Sequence, residues 1–291
     1  MHNQTTLSPL ETLFETKHGR SLTLTPNLTR LYGNLRMPQA RFRQHVFSNF
    51  VTTLDGVVSL QTQGHAGGAD ISGFSVQDRM VMGLLRAIAD VVIVGSSTLD
   101  ADPQHVWTPD SICPELTDDY RPLRMALRKR ATPLNVIVSG SGQIDLHLPV
   151  FTSGRVQTLV VTTTAGAKRL LKRKAPRSLE IRAIPRCRGK IPASSILDAV
   201  GRMNAGKWIL IEGGPRLLGE FYARRLVDEQ FLTLAPQIAG REDGDGRLSL
   251  VMGHAFPPGS ARWGTLTDVR RSASHLFLRY TFRSSPAPQN F

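Results

Sequence analysis

The chain has 291 residues, of which 41% are hydrophobic and 20% are charged, a balance typical of globular proteins with a substantial core. Its apolar runs are much shorter than the roughly 18 residues of a membrane-spanning helix, and its N-terminus lacks the basic and apolar blocks of a secretion signal. Two cysteines, Cys113 and Cys187, argue against a disulfide framework. We therefore expect a cytoplasmic protein with no membrane partner.

The positive charge is concentrated in one segment. The net charge is +13, and residues 121–190 contain 16 Lys and Arg against two acidic residues, Asp145 and Glu180. A solvated basic face is the simplest interpretation. The alternatives are a surface that binds nucleic acid and a surface that binds a smaller phosphorylated ligand.

Residues 1–44 are polar and punctuated by proline, so we expect an N-terminal arm with one short helix near Pro9–Lys17. Residues 45–291 show no internal repeat and no shift in composition, which favours one domain. Periodicity and capping residues predict its first elements as a strand at 45–54, a glycine-rich loop at 55–73, a helix capped by Ser75, a strand at 91–95, a proline-rich connection at 103–122 and a basic helix at 123–130.

Strands and helices alternate through the rest of the chain. The predicted elements are strands at 134–140, 156–164, 178–184, 207–213 and 227–235, helices at 165–174, at 194–205 with a serine cap and after Pro215, and closing strands at 263–270 and 274–283 joined near Arg271–Ser272. This alternation predicts an α/β fold with a mainly parallel central sheet flanked by helices. The closing hairpin should add an antiparallel C-terminal edge.

Several familiar sites are absent from the sequence. It has no P-loop, no G-x-G-x-x-G fingerprint, no G-x-S-x-G elbow and no Cys/His set with zinc spacing, so we expect no metal. Four stretches at predicted strand ends remain as candidates: 52–56, 95–103, 138–142 and 211–220. In a parallel sheet they share one edge, where ligands of α/β proteins bind.

The stretch "WILIEGGPRLLGEF" (208–221) carries the most specific signal. An apolar strand reaches Glu212, breaks at Gly213 and Gly214, and restarts as a helix at Pro215. Two glycines before a helix leave backbone N–H groups at the positive end of the helix dipole, where a phosphate binds well. The stretch therefore predicts a phosphate-binding turn with a carboxylate beside it.

The order of these motifs resembles the reductase domain of riboflavin biosynthesis, the C-terminal part of a bifunctional deaminase/reductase with a dihydrofolate reductase-like fold. The matching stretches, spread over residues 45–240, are "TTLDG", "GLLRAIADVVIVGSSTLDADP", "VIVSG", "IEGGPRLL", "RLVDEQ" and "LAPQIAG". The resemblance implies a homodimeric pyrimidine reductase that uses NADPH. Residues 1–44 are too short for the deaminase domain and hold no zinc motif, so we expect the reductase part alone.

The resemblance also implies roles for individual residues. Arg86 and Glu212 match positions that face the substrate. The positions that match the dinucleotide site or its flanking turns are Thr53, Gly95, Thr98, Asp102, Ser139, Gly140, Thr163, Gly213, Gly214, Pro215, Arg216, Leu217 and Leu218. The adenosine 2′-phosphate is expected near Thr163, Lys168 or Arg169. The plain alternatives are a helix-cap carboxylate for Glu212 and a helix-end cation for Arg86.

The expected reaction is hydride transfer to an imine or ring carbon of a pyrimidine-type substrate. Reduction of an imine also needs a proton at nitrogen, for which Asp55 and Glu212 are the candidates, although Asp55 is also a plain Asp-Gly turn residue. The arginine that usually binds the substrate phosphate is not in its place, where Trp107 stands. Arg121 and Arg124 are its possible substitutes.

Two other functions stay open at this point. The same fold reduces dihydrofolate or another pterin. A nucleic-acid-binding module would use the basic surface at 121–190, but that segment holds few aromatic residues for base stacking. We therefore expect a small-molecule substrate and no nucleic-acid partner.

Overall fold

The computed structural model describes residues 6–17, 19–38, 43–173, 176, 179–187, 189–244 and 246–282. Its strands are β1 (Glu11–Glu15), β2 (Arg20–Ser21), β3 (Arg36–Met37), β4 (His45–Thr52), β5 (Val57–Ser59), β6 (Val91–Gly95), β7 (Leu134–Ser139), β8 (Thr158–Thr163), β9 (Leu179–Ile184), β10 (Trp208–Ile211), β11 (Glu229–Leu234), β12 (Leu248–Ser249), β13 (Thr265–Ser272) and β14 (His275–Thr281). Its α-helices are α1 (Pro26–Tyr32), α2 (Gly68–Ser72), α3 (Val76–Ile88), α4 (Ser96–Ala101), α5 (Pro109–Ile112), α6 (Thr117–Ala126), α7 (Pro149–Thr152), α8 (Thr164–Leu171), α9 (Ala193–Gly201) and α10 (Pro215–Ala223). Within the described part of the chain, every helix is too short or too polar to cross a bilayer.

The predicted α/β architecture is confirmed. One ten-stranded sheet has the order β1-β13-β14-β11-β4-β10-β6-β7-β8-β9. The seven strands from β11 to β9 run parallel. The hairpin of β13 and β14 joins β11 antiparallel, and β1 extends this edge. The parallel strands therefore bring their carboxyl ends to one edge of the sheet.

The parallel strands are apolar on both faces because helices cover both. Along β6, Val92 and Val94 belong to the core that includes α1, α3 and α6, whereas Val91 and Ile93 face the core that includes α9 and α10. This alternation follows from the two-residue period of a strand. A strand buried on both faces needs a continuous apolar run, which "VVIVG" supplies.

The predicted helix near Pro9–Lys17 is wrong. Residues 11–15 form β1, which pairs with β13 so that Glu11 lies opposite Arg271. The Arg271 guanidinium donates to the Glu11 carboxylate at 2.9 Å, and the buried Arg270 donates to Thr12 Oγ1 at 2.8 Å. These are tertiary contacts with a segment about 260 residues away, which local periodicity does not report.

Five local expectations also differ from the structure. The loop at 55–73 contains β5 and α2, and the connection at 103–122 contains α5 and the start of α6. Helix α6 begins at Thr117 and continues through Pro122, where the sequence suggested a break. Helix α9 follows Pro192 without a serine cap. The closing turn lies after Ser272, at Ala273, whose φ is 49°.

Arg124 fixes the end of the helix that leads into the site. Its side chain is buried, and its Nη1 donates to three carbonyl oxygens at the C-terminus of α3, those of Arg86, Ala87 and Ala89, at 2.8–3.1 Å. Its Nε donates to Arg130 O at 2.8 Å. These carbonyls have no partner within the helix, so Arg124 acts as a side-chain cap of α3. It is committed to the fold, and it is not a substitute for the missing phosphate-binding arginine.

We predict that Arg124→Ala lowers the free energy of unfolding by about 3 kcal/mol, because buried carbonyls lose a charged donor. Urea unfolding of the purified protein measures the change. Arg121→Ala is the matched control, since Arg121 is 67% exposed and its only ion pair in the described residues is a 3.5 Å contact with Asp110. Its effect should stay within about 0.5 kcal/mol. Equal effects of the two variants would contradict the capping role.

Candidate active site

A cleft of about 240 Å³ opens at the carboxyl edge of the parallel sheet. It receives residues from the ends of β4 and β10, from α4 and from the inner face of α3. Three of the four candidate stretches, at 52–56, 95–103 and 211–220, follow parallel strands that end at or beside this cleft, and 138–142 follows β7 further along the same edge. The expectation that the four stretches share one edge is confirmed.

Arg86 and Glu212 meet at the wall of the cleft. Arg86 Nη2 lies 2.7 Å from Glu212 Oε2, and Arg86 Nε lies 2.9 and 3.0 Å from the two carboxylate oxygens. Both side chains are only 1% exposed. The remaining terminal nitrogen of Arg86 contacts His105 Nε2 at 2.7 Å and donates to Thr108 O at 3.1 Å. The two predicted substrate residues are thus a buried, bidentate ion pair.

His105 is a neutral member of this cluster, and sequence reasoning missed it. The Arg86 guanidinium has only N–H donors, so His105 Nε2 accepts and the ring proton lies on Nδ1. Nδ1 faces Asp102 Oδ2 at 3.4 Å. Burial and the Arg86 charge lower the pKa of His105 to about 2, and burial raises the pKa of Asp102.

The two glycines bring backbone close to the cleft. A Cβ added at Gly213 would lie 2.4 Å from Thr98 Oγ1, so only glycine lets the backbone after β10 pack this closely against Thr98 of α4. Gly214 has a φ of 83° and precedes α10 without a side-chain cap. Pro215 has no N–H, so the free donors at this helix start are Arg216 N and Leu217 N, which have no side-chain cap among the described residues and lie next to the part of the cleft lined by Gly213, Gly214 and Pro215.

The other end of the predicted cofactor site is built from the loop after β7. Thr163 Oγ1 donates to Gly140 O at 3.0 Å and accepts from Gly166 N at 3.0 Å, so this hydroxyl is already engaged as the cap of α8. Ser139 Oγ accepts from Gly142 N at 3.1 Å. Two arginines hold the same loop: Arg169 donates to Ser141 O, and Arg186 donates to Gly140 O at 3.1 Å.

Asp55 lies outside the cleft, whereas proton transfer to a substrate would require it to line the cleft. Its carboxylate accepts hydrogen bonds from Thr53 Oγ1 at 2.5 Å, Ala239 N at 3.1 Å and Gly240 N at 2.7 Å. These bonds lower the pKa of Asp55 to about 2, and neither Asp55 nor Thr53 lines the cleft. Asp55 and Thr53 join the turn after β4 to the segment after β11. The Asp55 carboxylate therefore stays ionised, and an ionised carboxylate is a poor proton donor.

The remaining predicted residues divide between cleft and core. Thr98, Asp102 and Pro215 line the cleft, as does the buried Trp107. Leu218 points into the core between the sheet and α10. The other predicted residues, which lie beside the cleft without lining it, are Gly95, Arg216 and Leu217.

Two further cleft residues on α3 were missed, Asp78 and Arg79. Asp78 is buried, and burial together with the Glu212 charge raises its pKa to about 6. Arg79 lines the cleft, and its buried Nε has no hydrogen-bond partner among the described residues. A signal was present in the sequence, because Asp78, Met82 and Arg86 are spaced by four and all three line the cleft.

Comparisons with known proteins point to one family. A sequence model described as the RibD C-terminal domain matches residues 44–251. The chain belongs to the RibD C-terminal domain family. The predicted membership in the riboflavin pyrimidine reductase family is thereby confirmed, and the fold agrees with it.

Relatives of this RibD-type chain include a curated protein of Archaeoglobus fulgidus, 2,5-diamino-6-ribosylamino-4(3H)-pyrimidinone 5′-phosphate reductase. It is 23% identical over 201 residues, which cover 69% of this chain and 84% of the relative. Among solved structures, a pyrimidine reductase-like protein from Corynebacterium diphtheriae has a TM-score of 0.66 and 21% identity, over 88% of this chain and 98% of its own.

A second solved structure comes from Thermotoga maritima and is named a diaminohydroxyphosphoribosylaminopyrimidine deaminase/5-amino-6-(5-phosphoribosylamino)uracil reductase. It has a TM-score of 0.60 and 20% identity, and the match covers 82% of this chain and 56% of that one. This RibD-type chain therefore corresponds to about half of the bifunctional protein. At these identities the structural likeness establishes the fold.

Asp78 should make the stability of the protein depend on pH. Its pKa is raised from 3.8 to about 6, so the folded state keeps a proton that the unfolded state loses as pH rises above about 4. Stability is therefore full below pH 4 and falls by about 3 kcal/mol as pH rises through 6. Asp78→Asn removes this loss, so its advantage over the wild type in urea unfolding should grow between pH 4 and 7.

The control for this prediction is Asp55→Asn. The pKa of Asp55 is lowered, so its contribution is present above pH 4 and is lost as pH falls towards 2. The difference between wild type and this variant should therefore change with the opposite sign. A flat difference between Asp78→Asn and wild type would show that the Asp78 carboxyl titrates normally.

Proposed function

We propose that the protein is an NADPH-dependent reductase of the riboflavin pathway that transfers hydride to an imine or ring carbon of a phosphorylated ribosylaminopyrimidine. Family membership supports an oxidoreductase of the pyrimidine reductase type. The observation that carries the finer proposal is the cleft: glycine-lined strand ends form one wall, and buried polar side chains of α3 form the other.

The glycine wall fits a nicotinamide dinucleotide. Backbone at Gly213 and Gly214 lines the cleft next to the uncapped N-terminus of the nine-residue helix α10, and such a helix start suits a diphosphate group. The loop after β7 would then hold the adenosine half. Arg169 and Arg186 provide positive charge there, which supports NADPH over NADH. The Thr163 hydroxyl is engaged as a helix cap, whereas Arg169 and Arg186 each give one terminal nitrogen to the loop and keep further N–H donors, so we assign the 2′-phosphate to the two arginines.

The bound cofactor would supply the hydride, and the protein supplies orientation and a site from which water is excluded. We propose that Glu212 keeps its substrate-facing role, held in position by Arg86. Both oxygens of the Glu212 carboxylate accept hydrogen bonds from Arg86, and the hydrogen bonds of Asp55 keep that residue an anion outside the cleft. Neither of the two carboxylates predicted for proton transfer is therefore assigned to it.

Arg79 is our candidate for the substrate phosphate. The names of the Archaeoglobus fulgidus and Thermotoga maritima proteins both specify a pyrimidine that carries a phosphorylated ribosylamino group. Arg86 is fully paired, Arg124 caps α3 and Arg121 lies outside the cleft. Arg79 lines the cleft with an unpartnered Nε, so its guanidinium is available to an anion.

The alternatives have weaker support. A pterin ring carries no phosphate, so it would leave the Arg79 guanidinium without an anion. Much of the basic segment at 121–190 is engaged within the protein, for example Lys129 with Asp90 at 2.7 Å and Lys190 with Gly253 O at 2.9 Å. This engagement favours the simpler interpretation of a solvated, structural basic face. The homodimer and the cytoplasmic location stay predictions.

We predict that the purified protein oxidises NADPH when a ribosylaminopyrimidine 5′-phosphate is added. The loss of NADPH absorbance measures the rate. Arg79→Ala should raise KM for this substrate about 10- to 100-fold, because a charged hydrogen bond to phosphate is lost. The dephosphorylated substrate should have the same high KM with the wild type and with Arg79→Ala. Arg121→Ala serves as the control and should leave KM unchanged.

The alternatives give distinct results in the same assay. Oxidation with dihydrofolate but not with the pyrimidines would establish the pterin function. Tight, salt-sensitive binding of an oligonucleotide with no thermal shift from NADPH would favour the nucleic-acid module. An equal KM change for phosphorylated and dephosphorylated substrates would remove Arg79 from the phosphate site.

A further inference from the structure

Asp78 differs from the other carboxylates of the cleft. Glu212 is neutralised by Arg86, and the Asp102 side chain lies at the rim with 58% of its surface exposed. Asp78 is buried, and no described Lys, Arg or His side chain forms an ion pair with it within 4.0 Å. A buried carboxyl without an ion-pair partner is costly in a folded protein, and the nearby Arg79 charge offsets only part of this cost for Asp78. Such a group at a cleft wall suggests a ligand that supplies the missing donors.

Asp78 lies at the start of α3 and beside Thr233 of β11. Ser75 Oγ accepts a hydrogen bond from Asp78 N and caps α3, so the residue lies in the first turn of the helix. The Thr233 hydroxyl, from the buried face of β11, hydrogen-bonds to the Asp78 carboxylate. Thr233 satisfies one position, and a carboxylate has about four. The others are available to a ring in the cleft.

We infer that Asp78 binds the edge of the substrate ring and selects a 2-amino-4-oxopyrimidine over a uracil. This inference rests on the proposed function. A 2-amino-4-oxopyrimidine presents two adjacent donors, the N3–H and the 2-amino group. A carboxylate accepts both in a paired, charge-assisted geometry like that of an arginine–carboxylate contact.

A uracil ring lacks the second donor. It carries a carbonyl oxygen at position 2, so one Asp78 oxygen would face the N3–H and the other would face a second acceptor. Two acceptors in contact inside a buried site repel each other and leave both without a donor. The names of the two relatives differ in this position, since one acts on a pyrimidinone with a 2-amino group and the other on a uracil.

The test measures binding of the two ribosylamino 5′-phosphates, the 2,5-diaminopyrimidinone and the 5-aminouracil, by calorimetry with the full chain. Cofactor is left out so that no turnover occurs. The wild type should bind the 2-amino ring about 10- to 100-fold more tightly. Asp78→Asn should lose or reverse this preference, because an amide offers one acceptor to N3–H and one donor to the uracil oxygen.

Asp110→Asn is the control, a change of the same type outside the cleft lining, and it should keep the wild-type preference. Equal binding of the two rings by the wild type, binding of neither ring, or an equal loss for both in Asp78→Asn would overturn the inference. The NADPH assay judges the proposed function separately. A ring preference without NADPH oxidation would keep the ring-reading role of Asp78 and reject the reductase activity.

Discussion

The buried ion pair between Arg86 and Glu212 organises this protein's cleft. Neither charge is tolerable alone at 1% exposure, because desolvation of a single ion costs several kcal/mol. Together they join three parts of the fold: the last turn of α3, the end of β10 and the segment that carries His105 and Thr108. The pair also removes two charges from the site. Among the described residues, the charged side chains that reach the cleft from α3 without such a partner are Asp78 and Arg79.

This arrangement separates the cleft into two chemical halves. On the β10 side, Gly213 and Gly214 expose backbone, which recognises phosphate through N–H groups and helix dipoles. On the α3 side, Asp78 and Arg79 carry opposite charges on adjacent residues, and each faces the cleft. A substrate with a donor-rich ring and an anionic tail matches this second half. Arg124 contributes from outside, because it holds the carbonyl end of the helix on which all these side chains lie.

The sequence predicted the sheet and its functional edge because both depend on local signals. Short apolar runs such as "VVIVG" identify buried strands, and the glycines after Glu212 mark the point where backbone approaches a ligand. The pairing of Arg86 with Glu212 was not predicted, although both residues were chosen, since their contact spans 126 positions. Asp78 and β1 were missed for the same reason: the burial of Asp78 depends on packing against β11, and β1 exists only through pairing with β13.

A double-mutant cycle on the ion pair tests the account most directly. Arg86→Met and Glu212→Leu should each lower the free energy of unfolding by about 3–5 kcal/mol, because each leaves an unpaired buried charge. The double variant leaves none, so we predict that its loss is smaller than the sum of the two by at least about 3 kcal/mol. Losses that add to within about 0.5 kcal/mol would show that the two residues do not depend on each other, and the central role of the pair would be contradicted.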